Sequence, residues 1–424
     1  MRPAARTGTL PVTDDAEVGM RTAVRRRAAA LVAAVLVGAA GAGCGQESGR
    51  AMARALPADA EFTHPGVLVS QAQLDTVRKN TTAGRQPWLS AYLAMRDSRY
   101  GSYRHRARPF ATVHCPAGKK AGRGCEEERE DAIAAYTQAL LFSVTGKRPH
   151  AEKARQIMDA WSGKLKEHTG ENAGLQAGWT ASTWARAAEL VRHTPGAGWP
   201  DDRVRRFEDM LRTAHLPRLT KKVPDRNGHQ DLIATDGAIS AAVFLNDHKT
   251  FDHALRRFRD RVPAYFYLEK DGKLPFTPAG SSIATRERLV SYWHQQKTYK
   301  DGVTQETCRD FAHVGHSIAA TAHIAETAWH QGVDLYAEVK DRLKAALALH
   351  ARQQRADTAP AWLCGGEVER NLGPDLEVAL NHLENRLDVP VPAAHKLAAG
   401  TRPAGTDDLS VSWETLTHAR NPGR

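Results

Sequence analysis

Three stretches of this 424-residue chain hold more reactive side chains than helical packing needs. In 225–247 (DRNGHQDLIATDGAISAAVFLND), Asn227 and His229 stand at a helix entrance. Free backbone N–H groups there favour an anion, although a turn cap and a surface histidine would look the same. In 284–302, Arg286 and Arg288 precede Tyr292, with Arg288 one turn away if the segment is helical. A cation beside a phenol lowers its pKa toward a usable base, while a plain basic helix end is the simpler reading. In 304–336, Glu306, Arg309, Asp310, His313 and His316 crowd one helix start. The His313/His316 spacing suits a metal, but no HExxH pattern or third spaced ligand follows, although His323 and Glu326 are nearby. A hydrogen-bonded network of Glu306, Arg309 and His313 supporting a site floor is the better expectation. Gln176 and Trp179 precede another helix, where the indole would either stack on a sugar ring or pack in the core. Trp362 and the Gly365–Gly366 pair flank Cys364 and read as loop packing or a groove wall.

Helices must position these groups. Apolar residues recur at helical spacing in 74–97, 126–145, 151–166, 181–193, 202–215, 231–245, 250–267, 311–331 and 337–355, and briefly in 375–387. Gly and Pro fall between these runs, and period-2 alternation is nearly absent. The expectation is one all-α domain over 62–424, an (α/α) toroid of antiparallel helix pairs, with 356–424 as a capping segment. No short repeat favours an ordinary solenoid.

Residues 1–43 read as an export signal: Arg25–Arg27 precede an apolar run of small residues that ends at Cys44. Gly41–Cys44 is similar to a lipoprotein cleavage site, so Cys44 is a candidate for lipidation, and 44–61 reads as a linker. The expected location is outside the cytoplasm, lipid-anchored at the cell surface or secreted. The leader holds six Arg and three acids, so the formal net charge of +11 falls to +8 without it. Export permits disulfides. Cys115 and Cys125 bracket a short loop, Cys308 and Cys364 would make the other pair, and four cysteines allow three connectivities. No phosphate-binding glycine loop, nucleophile elbow, zinc finger or RNA-binding signature occurs. The basic excess therefore points to an anionic polymer other than nucleic acid.

Taken together, the Asn-Gly-His stretch, RERLVSY (286–292), KTYKDGVTQETCRDFAHVGH (297–316), AETAWHQGVDLY (325–336), WLCGG (362–366), EVALNHLENRL (377–387) and SWETLTHA (412–419) resemble the alginate lyase-like polysaccharide lyases. The subgroup they are similar to is associated with polyglucuronate and alginate cleavage. The resemblance runs from about His64 to the C-terminus and implies an (α/α) toroid. It implies β-elimination on an acidic polyuronate, with no cofactor or metal. Asn227, His229 and Arg286 would neutralise the uronate carboxylate, so that charge developing at C5 is stabilised as in an oxyanion hole. Tyr292 would take the C5 proton and protonate the C4 oxygen. Gln176, Trp179, Arg288, Glu306, Arg309 and His313 would bind substrate. The sequence departs from the family pattern where Gly228 separates Asn227 from His229, and Arg288 could replace Arg286. Two other functions fit parts of the pattern. A glycoside hydrolase would pair Glu306 with Asp310 or Asp231 and leave the Arg/His/Tyr set idle. A non-catalytic glycan-binding lipoprotein would have no need of Tyr292.

Overall fold

The computed structural model describes residues 60–118 and 121–424. The expected leader, Cys44 and most of the linker lie outside the described residues. The helices are α1 (Gln71–Thr82), α2 (Trp88–Asp97), α3 (Cys125–Thr145), α4 (Arg148–Ser162), α5 (Ala173–His193), α6 (Asp201–Met210) and α7 (Leu216–Leu219). They continue as α8 (Gly228–Phe244), α9 (His248–Arg261), α10 (Arg286–Tyr292), α11 (Phe311–His330) and α12 (Tyr336–Gln354). The chain finishes with α13 (Glu377–Leu380), α14 (Pro392–Thr401) and α15 (Glu414–His418). Two short strands, β1 (Thr112–His114) and β2 (Glu167–Thr169), pair in parallel.

Helices α3, α5, α8 and α11 pack side by side as an inner layer. Their contacts ascend together along each pair. Glu128 meets Gln176, and Tyr136 further along α3 faces Arg186. His229 meets His313, and Asp236 meets His323. The inner helices are therefore parallel, and α4, α9 and α12 return along the outside of α3, α8 and α11 after short turns. The ring closes through the C-terminal segment: α13 contacts α11, α15 contacts α13 and α1, and α1 contacts α3. This is an (α/α) toroid, and 356–424 supplies part of its wall.

Burial explains the layers. Helix α8 is buried on nearly every face, whereas α9 buries only Phe251, Ala254, Leu255, Phe258 and Arg261. A helix apolar all round must lie inside; a one-sided helix must lie outside. Small residues let the inner helices approach closely. A Cβ on Gly178 would meet the Ile233 carbonyl oxygen at 2.9 Å, and one on Gly237 would meet the Gly178 carbonyl oxygen at 2.8 Å.

Polar bonds cross the middle of the ring. Arg186 donates to Asp236 at 2.9 Å and to the Ser410 carbonyl at 2.7 Å, and His323 Nε2 lies 2.6 Å from Glu414. These bonds tie α5, α8, α11 and α15 together. A smaller apolar cluster of Tyr267, Leu289, Trp293, Tyr299, Val303, Leu349 and Leu363 carries α10. The disulfides are Cys115–Cys125, at the start of α3, and Cys308–Cys364, beside that smaller cluster.

Candidate active site

Because the inner helices are parallel, their N-terminal ends meet at one end of the ring. Asn227 is the residue before α8, and its side chain makes no capping bond. Gly228 follows, with its N–H donated to Gln305 Oε1 at 2.8 Å. A Cβ at 228 would stand 3.0 Å from the Tyr265 ring and 3.3 Å from Gln305 Oε1. Packing thus accounts for the glycine that separates Asn227 from His229.

His229 is buried, with Nδ1 2.5 Å from Glu306 Oε1. Burial pushes its imidazole down, outweighing the pull of Glu306, so His229 is neutral near pH 7. The Nδ1 proton then sits on the Glu306 bond, which leaves the Nε2 lone pair available. Glu306 is fully buried; burial pushes its carboxyl up, but His229, His294 and Arg309 hold it well below the usual range. His294 Nε2 stands 3.3 Å and Arg309 Nη1 3.6 Å from Glu306 Oε2. Asp310 caps α11 and holds His313 Nδ1 at 2.7 Å, and the His313 ring lies edge-on to His229 with centroids 4.6 Å apart. The expected Glu306/Arg309/His313 network is thus one connected group. Its acid, however, faces the histidine rather than open space.

Tyr292 ends α10 half-buried and donates its hydroxyl to the Arg226 carbonyl at 2.7 Å. Burial, then the charges of Asp231 and Glu306, push this phenol well above its ordinary value. The resting group is a protonated phenol. The cation expected beside it is neither Arg286 nor Arg288. Arg286 is exposed and its charge acts on Tyr299 instead, and Arg288 is exposed and donates to the Ser282 carbonyl at 2.9 Å. They precede the phenol closely in sequence, but both side chains are exposed to solvent.

The remaining predicted binders also have definite places. Gln176 and Trp179 lie within α5, which starts two turns earlier than its periodicity suggests. Gln176 is buried; it donates to Glu128 and accepts from Arg129 Nη1 at 2.7 Å. It therefore positions Arg129, whose guanidinium stands 5.7 Å over the half-buried Trp179 ring. Both line a cavity of about 320 Å³ near the disulfide Cys115–Cys125. Trp362 packs against the smaller apolar cluster with Lys300 over its ring.

Sequence reasoning missed Arg226, His294, Gln305 and Tyr265. Arg226 is half-buried, and its Nη1 is buried without a partner. His294 adopts φ of 50°, a left-handed backbone that non-glycine residues hold only under constraint. Both lie inside the stretches singled out above, but nothing in their spacing marked them.

Among the described residues, two groups have ligand atoms close enough to share a metal ion: Glu128/His168/His215 and His64/Glu189/His193. In the first, burial works against the charge, but Glu128, 2.9 Å from His168 Nε2, holds the imidazole up, which favours a proton over a metal ion there. Neither group includes His313 or His316.

Comparison with known proteins follows the same lines. Residues 116–279 match the family model described as alginate lyase. Alginate lyase A1-III from Sphingomonas species A1 is similar with a TM-score of 0.58 at 16% identity, covering 85% of this chain and 98% of that one. A variant of that enzyme complexed with a tetrasaccharide gives 0.57 at 17% identity over 85% and 98% of the two chains. An alginate lyase from Bacteroides ovatus gives 0.53 at 11% identity, covering 84% and 99%. No curated protein sequence matches the chain. At such identities the structural likeness shows the fold, while the family match spans α3, α5 and α8, three of the four inner helices. Over residues 116–279 this chain is thus similar to the alginate lyase family, and its toroid is the fold of those solved lyases.

Proposed function

We propose that the protein is an exported lyase that cleaves an acidic polyuronate, of the alginate or polyglucuronate type, by β-elimination. The observation that carries the reading is the neutral His229, fixed by Glu306, at a helix mouth that also gathers Asn227, Arg226, Arg309 and Tyr292. A uronate C5 proton is weakly acidic while its carboxylate is charged. Asn227 and Arg309, with Arg226 beside them, would bind that carboxylate and stabilise charge developing on it. In this role Arg309 replaces Arg286.

His229 and Tyr292 divide the proton traffic. Neutral His229 presents Nε2 as the base for the C5 proton, and protonated Tyr292 supplies a proton to the C4 oxygen. One phenol serves both steps only where proton and leaving oxygen share a face of the ring, as in D-mannuronate and D-glucuronate. Tyr292 must then start as phenolate, and its raised pKa makes the rate climb with pH. L-guluronate inverts C5, which calls for the base on the other face, and His229 fits that need. The glycoside hydrolase alternative requires a carboxyl held protonated. Glu306 and Asp310 are both held low by the histidines they bind, after burial has worked in the opposite direction. Export, with a lipid anchor at Cys44, completes the proposal.

The test is incubation with polymannuronate, polyguluronate and polyglucuronate while ultraviolet absorbance of the unsaturated product is followed. Absorbance should rise on at least one polymer and fall by about 10²–10⁴-fold in Tyr292→Phe. No rise on any polymer would end the lyase reading. Full activity in Tyr292→Phe would end the role given to the phenol.

A further inference from the structure

Beside the cleft, the loop 220–226 and α9 enclose a second cavity of about 530 Å³. Its wall carries Lys221, Lys222, Arg256, Arg257 and Arg261 against one exposed acid, Asp260. Two of these cations have structural partners. Arg257 and Arg261 turn onto the buried Asp231 and donate to the carbonyls of Leu219 and Pro224. Lys221, Lys222 and Arg256 are exposed and hold no ion pair or hydrogen bond among the described residues. His253 registers the resulting field: burial, then the charges of Arg257, Arg256 and Lys222, push its imidazole down. Cations gathered around a concavity repel one another and concentrate anions there.

The pocket is linked to the candidate site through the chain and through Asp231. The loop that bears Lys221 and Lys222 runs directly into Arg226 and Asn227. Asp231 serves both, binding Arg257 on one side and the Tyr265 hydroxyl at 3.0 Å on the other. The facing wall, which includes Ala279 and Gly280, is anchored where Ser282 donates its N–H and hydroxyl to Asp225 at 2.9 and 2.8 Å. Arg226, with its unpartnered Nη1, feels the charges of Arg257 and Arg261 from the pocket wall and of Asp231.

We propose that this pocket is an accessory site for the carboxylates of the same acidic polysaccharide, gripping sugars beyond those in the cleft. The inference rests on the polyuronate reading. A polyuronate offers a carboxylate on every sugar, so a chain held in the cleft can also engage Lys221, Lys222 and Arg256. These residues are remote from the reacting bond. They raise capture of long chains without altering the chemistry, and salt weakens their effect.

The experiment compares wild type with Lys221→Ala/Lys222→Ala/Arg256→Ala and with the corresponding triple Glu variant. Retardation in polyuronate-loaded native gels reads binding, and initial rates on polymer and on a tetrasaccharide read function. The Ala variant should lose retardation, raise KM for polymer by about tenfold with kcat within about twofold, and leave tetrasaccharide kinetics unchanged; the Glu variant should go further. Unchanged retardation, or equal losses on polymer and tetrasaccharide, would overturn the accessory site. If wild type is retarded through these residues yet yields no unsaturated product, the lyase reading falls while the binding site stands. A matching melting temperature confirms that the surface changes leave the fold intact.

Discussion

His229 holds Nδ1 against a carboxylate buried at the mouth of α8, so Glu306 sets both its tautomer and its aim. Glu306→Gln offers an amide that can donate to Nδ1, which moves the histidine proton to Nε2 and removes the base. We expect kcat to fall by about 10²-fold with KM nearly unchanged, and nitrogen NMR of His229 to report the tautomer change. A variant with unchanged kcat would contradict the role of the pair. Much of this group was legible as polar residues in otherwise apolar helices: Asn227, His229, Glu306, Arg309 and His313. The carboxylate partner was not. Arg286 and Arg288 are near Tyr292 in sequence, yet both are exposed, and Arg288 turns back to the Ser282 carbonyl. Arg309, which arrives from another segment, shares the buried acid instead. A phenol pKa set by burial and by Asp231 is equally invisible without the fold.

At the scale of elements, Gly178 decides how closely α5 approaches α8. The site needs that approach, because Gln176 and Trp179 flank Gly178 on α5 and His229 stands at the start of α8. Gly178→Val would drive methyl groups into the Ile233 carbonyl, where a Cβ alone would already stand at 2.9 Å. We expect a loss of about 2–4 kcal/mol in chemical denaturation, and a wild-type midpoint would contradict the packing described. This glycine also shows why part of the fold was hard to read. Gly174 and Gly178 look like helix breakers, so the periodicity places the helix start near Ala181, whereas α5 begins at Ala173. The outer helices α4 and α9 were plain because one face is apolar and the other charged. The last turns of the 250–267 run go over to a 3-10 turn at Val262–Ala264, where Pro263 breaks the helical hydrogen-bond pattern.

At the scale of the molecule, His323 lies in the middle of the ring among Asp236, Arg186 and Glu414. Burial and Arg186 push its imidazole down, but Glu414 and Asp236 outweigh them and raise it from 6.5 to about 9. A raised pKa means the folded state holds the proton more tightly. This stabilisation is present in full below about pH 6.5 and is lost as pH rises through about 9. Melting temperature should therefore decline across that window, and His323→Gln should flatten the decline; an unchanged slope would remove His323 from the account. The toroid itself was legible from many helices and almost no strands. Its closure by the C-terminal segment was not, since only long-range contacts between α11, α13, α15 and α1 reveal it.

The central claim is that the glycosidic bond breaks by elimination, without water. Digestion of a polyuronate in heavy-oxygen water, followed by mass spectrometry, tests it directly. The account predicts products with an unsaturated terminal sugar, each lighter by one water than a hydrolysis product, and no heavy oxygen fixed at the cleaved bond. Saturated products carrying one heavy oxygen per cleavage would contradict it.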